Sequence, residues 1–284
     1  MDTLPRVRIG ELSRRTGVSV ELLRAWEQRY ALLRPDRSAG GFRLYSSADE
    51  ARVRRMTALI ASGISASQAA ARATREQAPT PDGAAIDELA GELRAALDRF
   101  DAERAHDALD RLFATVSVEV VITEVVVPLL HELGERWEAG DVSIGQEHFA
   151  SNLLRGRLLA IARGWASGSG PVYVLACPPG EGHDLGLVMF GIALARRGAR
   201  VVFLGADTPV ATIAETVRAA APAGVVVGVA RPEPLAAAAT ELAAVARDVA
   251  VYVGGPGADE GVVAEVGATL LDGDPVAAAR SLTA

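Results

Sequence analysis

The 284-residue sequence has no lysine; all 29 of its basic residues are arginine. Arginine meets phosphate or carboxylate through a planar fork. A single cysteine, Cys177, excludes a disulfide framework and a cysteine-based zinc site. Aromatic residues make up only 5% of the chain, which leaves Ala, Val and Leu to build the core. No apolar run reaches the roughly 18 residues a membrane span needs, and the first residues form no apolar signal core, so a cytoplasmic protein with no membrane partner is expected. At 50% hydrophobic and 23% charged residues a wholly disordered chain is excluded. The length fits two or three compact units.

The net charge of −7 is unevenly spread. Residues 1–78 hold 14 arginines against 8 acids, whereas residues 79–284 hold 15 against 28. A basic head on an acidic body is what a nucleic-acid-binding module joined to a different function presents.

The hydrophobic period predicts a helix over 9–16, a turn at Gly17-Val18-Ser19 with Ser19 as N-cap, and a second helix over 21–30 that packs through Trp26. Helix, glycine turn and helix make a helix-turn-helix. Residues 34–45 read as a β-hairpin with a turn at Gly40-Gly41 and flanking arginines; Ser47 is expected to cap a helix to Ala61, and a further helix starts near Ser65. This head ends at about residue 75, and 76–83, with two prolines and a glycine, is a linker. Helical periods over 84–99, 103–114, 117–138 and 144–165 predict a four-helix bundle within 84–168. From 169 to 284 the texture changes. Solidly apolar strands at 172–177, 200–205, 224–230, 250–254 and 268–271 alternate with helices at 185–197, 209–221, 234–247 and 258–266, the pattern of a five-stranded, doubly wound parallel sheet. The fold class is therefore multidomain, α followed by α/β.

Ile9-Gly10-Glu11-Leu12, Thr16-Gly17-Val18-Ser19, Leu23-Arg24-Ala25-Trp26-Glu27 and Gly40-Gly41-Phe42-Arg43-Leu44-Tyr45 together resemble the MerR-type winged helix-turn-helix. The resemblance implies an operator-binding head whose second helix enters the major groove while the wing lies over the backbone. Ser19 and Arg24 are the candidates on the helix, and Arg37, Arg43 and Tyr45 the candidate phosphate contacts of the wing. The metal-sensing members of the family would carry a cysteine-bearing loop after the head; with Cys177 alone, far along the chain, metal sensing is not expected.

The loop after the first strand of the α/β region reads in two ways. Gly180-x-Gly182-x3-Gly186, with Asp207 following 21 residues later, approximates a dinucleotide fingerprint and points to a nicotinamide-binding enzyme or sensor. Glu181-x-His183-x-x-Gly186 resembles the D-x-H-x-x-G motif of cobalamin-binding domains, with Glu in place of Asp. That resemblance implies His183 as the lower ligand of cobalt, an imidazole oriented by Glu181 and its loop neighbours Gly182 and Asp184, and a nucleotide tail passing Gly186. Leu204-Gly205-Ala206-Asp207-Thr208-Pro209 is similar to the family's second-strand loop, through Thr208, and Val253-Gly254-Gly255-Pro256 to its fourth-strand loop. The family's S-x-L/T motif is replaced by Gly228-Val229-Ala230, which removes a serine contact to the tail.

Trp137-x9-Glu147-His148 resembles the W-x9-E-H signature of CarH-type light-dependent regulators, which share the layout of MerR head, helix bundle and cobalamin domain. The resemblance spans nearly the whole chain. It implies a transcriptional repressor, not an enzyme, that holds adenosylcobalamin with Trp137, Glu147 and His148 at the adenosyl group, and that controls operator binding through homo-oligomerisation. One departure stands out. The histidine that follows the tryptophan in that layout, and that ligates cobalt after illumination, is Glu138 here. This departure favours an alternative in which cobalamin level or redox form is sensed without light.

Overall fold

The computed structural model describes residues 7–37, 42–61, 65–74, 83–167 and 169–283. The wing turn at Gly40-Gly41 and nearly all of the linker lie outside these residues. The chain divides into two compact units, 1–80 and 81–284.

In the first unit, α1 (Ile9–Thr16) ends where Gly17 takes a left-handed φ of 71°, and α2 (Val20–Tyr30) begins where the Ser19 hydroxyl accepts the Leu22 N–H at 3.3 Å. Strands β1 (Asp36–Arg37) and β2 (Arg43–Leu44) pair antiparallel, and Tyr45 bridges to Val7. Helices α3 (Ser47–Ala61) and α4 (Ala66–Thr74) complete a core around Leu12, Leu23, Trp26, Tyr45, Val53 and Met56. Ser46, not Ser47, caps α3. Its hydroxyl accepts the Asp49 N–H at 3.2 Å and donates to the Asp49 carboxylate at 2.8 Å, while Ser47 is already helical. Sequence cannot choose between two adjacent serines, but the buried Asp49 carboxylate, which also accepts the Arg34 N–H, can.

The second unit starts with α5 (Gly83–Asp98) and α6 (Ala102–Thr115). A continuous helix over 118–138, α7, opens as Val118–Val120, widens into a π-helical stretch over Val121–Val126 and runs on as Val127–Glu138. Pro128 has no N–H to offer the carbonyl of Glu124, and the widened turn takes up that break in the ladder. Helix α8 (Ile144–Ile161) starts in a capping box between Ser143 and Gln146 and finishes the bundle.

Strands β3 (Val172–Ala176), β4 (Arg200–Gly205), β5 (Gly224–Gly228), β6 (Val251–Gly254) and β7 (Thr269–Leu271) form one parallel sheet in the order β4-β3-β5-β6-β7. Crossover helices α9 (Leu185–Arg196), α10 (Val210–Ala220), α11 (Pro232–Val245) and α12 (Glu260–Val266) cover it, followed by a last helix, α13 (Pro275–Leu282). One apolar cluster runs without a break from the bundle through Leu154, Leu158 and Ala162 to α9, α13 and one sheet face; a second fills the other face under α10, α11 and α12. The bundle is thus packed on the α/β layer. The sheet order reverses between β3 and β5, and the carboxyl end of that switch point is where ligands enter folds of this kind. Among the described residues no helix is long and apolar enough to cross a membrane.

Candidate functional site

The head presents its cations unevenly. Arg24 is exposed on α2 and forms no ion pair among the described residues. Arg43, on the second strand of the wing, is exposed with its Nε 3.0 Å from a Glu27 carboxylate oxygen. Next to it Phe42 is exposed, and the Arg8 guanidinium lies 4.4 Å above its ring, a pair that no spacing rule singles out. The backbone places Arg37 on the first strand of the wing; its side chain is outside the described set. Ser19 spends its hydroxyl on capping α2. Tyr45 corrects an expectation. It is fully buried, its hydroxyl donates to Glu27 at 2.8 Å, and burial followed by that carboxylate raises its pKa. It holds the wing to α2 and cannot clamp a phosphate.

In the second unit a cavity of about 970 Å³ opens between the bundle and the carboxyl ends of the strands. From the bundle come Trp137 and His131 of α7 and Glu147, His148 and Ser151 of α8. From the α/β layer come His183, Gly186, Gly228, Gly254 and Gly255. Three of the chain's four histidines therefore line one space. Glu138 does not line it.

His183 is held by a buried acid. Glu181 is wholly inaccessible, and its Oε1 lies 2.7 Å from His183 Nδ1 and accepts the His183 backbone N–H at 2.9 Å. Its other oxygen accepts the Ala230 and Arg231 N–H groups at 2.8 and 3.2 Å. Burial alone would push the Glu181 carboxyl up, but the N–H groups of His183 and Ala230, the imidazole and the Arg231 N–H outweigh it and hold the carboxyl below its ordinary range. An ionised carboxylate can only accept, so Nδ1 carries a proton toward Glu181, and Nε2 is the nitrogen left over, on a side chain 64% exposed at the cavity wall.

On the bundle side Glu147 accepts the Ser151 hydroxyl at 2.6 Å and stands 2.5 Å from His148 Nδ1. Ser151 was not visible as a site residue in the sequence; it sits one turn beyond Glu147 on the same helical face. Trp137 lines the cavity and leaves about half its surface exposed, more than a core tryptophan would.

The glycines make a floor without side chains. A Cβ on Gly228 would stand 3.2 Å from Leu187, and one on Gly254 would stand 3.3 Å from Leu271. Gly255 has φ +111°, and a Cβ there would meet the Val229 carbonyl oxygen at 2.2 Å, so no other residue fits. Gly186 reaches the cavity with open space around it, whereas Gly182 is exposed outside it. Thr208 and Asp184 are buried away from the wall. Thr208 hydrogen-bonds the Gly205 carbonyl, and Asp184 is bound in a fork by Arg155 of α8, at 2.8 and 2.6 Å. Cys177 is buried; burial, with Asp184 and Glu181 nearby, pushes its thiol up to about 12, which makes it a neutral, unreactive group.

Comparison with known proteins agrees with both units. The profile described as MerR HTH family regulatory protein matches residues 7–75, and two profiles described as B12 binding domain match residues 89–161 and 171–271. The HTH-type transcriptional repressor CarH of Myxococcus xanthus is 34% identical over 226 residues, 76% of this chain and 76% of that protein. The HTH-type transcriptional repressor CarA of the same organism is 34% identical over 260 residues, 89% of this chain and 88% of that protein. Among solved structures, the Methanosarcina barkeri monomethylamine corrinoid protein superposes with a TM-score of 0.61 at 16% identity, covering 69% of this chain and 98% of that one, a likeness of fold alone. The two B12 matches decide between the readings of the glycine loop, and the nicotinamide reading falls.

Proposed function

The chain belongs to the family of CarH- and CarA-type transcriptional regulators, cobalamin-binding proteins with a MerR head, and from that premise we propose that it is a repressor that takes adenosylcobalamin as a light-sensing ligand. The observation that supports this most is the pairing of walls in one cavity: a carboxylate-held imidazole on the α/β side, and an aromatic, an acid and an imidazole on the bundle side.

The residues fit the group. Glu181 fixes Nδ1 of His183 and leaves Nε2 as the nitrogen to meet a metal, the usual arrangement of a metal-bound imidazole. A cavity of about 970 Å³ is at the upper end of small-molecule sites, as a corrinoid requires. The floor of Gly228, Gly254 and Gly255 is bare, leaving room for a nucleotide tail, and the missing serine of the S-x-L/T motif is replaced there by Gly228 itself. His183 would hold cobalt from below, while Trp137, Glu147 and His148 would receive the adenosyl group. Bound adenosylcobalamin supplies a cobalt–carbon bond that visible light cleaves.

With the cavity filled, the bundle wall and the His183 loop are braced against a common partner, which fixes the surfaces by which copies of the chain associate. Two or more heads held at operator spacing bind DNA far more tightly than one, with no new contact. Once nothing occupies the upper part of the cavity, Trp137, Glu147 and His148 lose their partner and the brace is gone. Glu138, outside the cavity where a second imidazole would be expected, favours a second reading in which cobalamin is sensed without light.

His183→Ala tests the site directly. Full-length wild-type protein mixed with adenosylcobalamin in the dark should turn red and keep the colour through gel filtration. His183→Ala should lose most of that retention, or bind cobalamin with its own base still on cobalt. A variant with wild-type spectrum and retention would refute His183 as ligand, and loss of DNA binding by the wild type once green light has bleached the cobalamin separates the first reading from the second.

A further inference from the structure

The His183 loop is held from two sides, and only one of them belongs to the α/β layer. Glu181 ties the loop inward to the backbone of residues 230–231. Asp184, the next residue after His183 and the last before α9, is tied outward to the bundle. Its carboxylate is 3% exposed and lies in a fork made by Arg155 Nε, at 2.8 and 3.1 Å, and Nη2, at 2.6 Å. Such a planar, two-point pair fixes orientation as well as distance, which a lysine could not do.

Arg155 lies on α8 with Ser151 and Glu147, each one turn apart, so a single helical stripe carries both the bundle wall of the cavity and the clamp on the imidazole loop. A buried acid with one charged partner is costly to leave unpaired, so sliding α8 away from α9 would release the loop and strand Asp184 together.

We propose that Arg155 is a positioning residue for the cobalt-ligating imidazole: through Asp184 it holds the 181–186 loop in its His183-presenting geometry only while α8 is docked on the α/β layer. The proposal rests on the reading of this cavity as the cobalamin site. It makes lower-ligand strength depend on bundle position, so a change at the Glu147–His148 end of α8 is felt at His183 without passing through the sheet.

The test uses full-length protein, hydroxocobalamin as probe, and the variants Arg155→Met and Arg155→Lys. Cobalamin bound to protein labelled with ¹⁵N-histidine is reduced to the cobalt(II) state, and the nitrogen splitting in its electron paramagnetic resonance spectrum is read. Splitting into doublets marks the protein imidazole on cobalt; triplets mark the cofactor's own ¹⁴N base. Wild type should show doublets. Arg155→Met should show a mixture with triplets or with no nitrogen splitting, and should release cobalamin about ten- to a hundred-fold faster, the range typical for groups that orient a metal ligand. Arg155→Lys, which keeps the charge and loses the fork, should fall between them, and it carries the test if Arg155→Met does not fold. Wild-type splitting and release rate in a folded Arg155 variant would overturn the proposal while leaving the cavity's ligand intact. Wild type that takes up no cobalamin would overturn the reading beneath it.

Discussion

Arg24 and Tyr45 are both expected contacts of the head, yet of the two only Arg24 has an exposed side chain that can reach a phosphate. Arg24→Ala should weaken binding to operator DNA and, where the contact is to phosphate, flatten the salt dependence by about one unit. Tyr45→Phe should leave the salt slope untouched and lower the stability of the head by about 1 kcal/mol, the worth of one buried hydrogen bond. Fluorescence anisotropy over a salt series reads both; a reduced slope in Tyr45→Phe would return Tyr45 to the interface. At the cavity, Trp137→Ala should weaken adenosylcobalamin binding at least ten-fold and hydroxocobalamin binding much less, because only the former presents an upper group to that wall. Equal losses by calorimetry would remove Trp137 from the upper pocket. The histidine and the Trp, Glu and His that line the two walls of the cavity were legible from short motifs, since a histidine inside a glycine loop and a tryptophan at fixed distance from Glu-His are rare patterns. Tyr45 misled because a wing position says nothing about which way a ring points. Arg155 and Ser151 were silent because their meaning lies in contacts across 29 residues and across one helical turn, respectively.

Element by element, the periodic segments were read nearly to their ends, as at Ile9–Thr16 and Arg200–Gly205. Three features escaped. Helix α13, Pro275–Leu282, is one short alanine-rich stretch whose only strong signal is the Asp274 cap, and its existence depends on packing against α9. The π-helical stretch over Val121–Val126 has the same apolar pattern as an α-helix. The start of α3 turns on Asp49, an acid whose role is invisible until Arg34 and Ser46 converge on it. Burial pushes Asp49 up, but the Arg34 and Ser46 N–H groups, the Ser46 hydroxyl and Arg52 together hold it below its ordinary value. A depressed folded value means that this contribution to stability is complete above the unfolded pKa and is lost as pH falls through the folded one. Protection of the Arg34 and Ser46 amides against hydrogen exchange should therefore persist at pH 5 and decline in strongly acidic buffer. Asp49→Asn should already lack it at neutral pH, with the head destabilised by about 2 kcal/mol. Unchanged protection in Asp49→Asn would show that α3 is held by its apolar face alone.

At the scale of the whole molecule, a DNA-binding head is joined to a cobalamin-binding unit whose cavity would be braced when both its walls have a partner. The uneven charge of the sequence is the large-scale sign of this division, with the arginine excess confined to the first unit. Association of copies is the step through which the second unit would reach DNA. The most direct measurement is the mass of the full-length protein in the ultracentrifuge with adenosylcobalamin in the dark and after green light, together with its binding to a DNA fragment selected from a random library by the dark complex. The account predicts a dark oligomer that binds this fragment, and a smaller species after illumination that has released it. Identical mass and identical DNA binding in the dark and after illumination, with the cobalamin spectrum shown to have bleached, would contradict it.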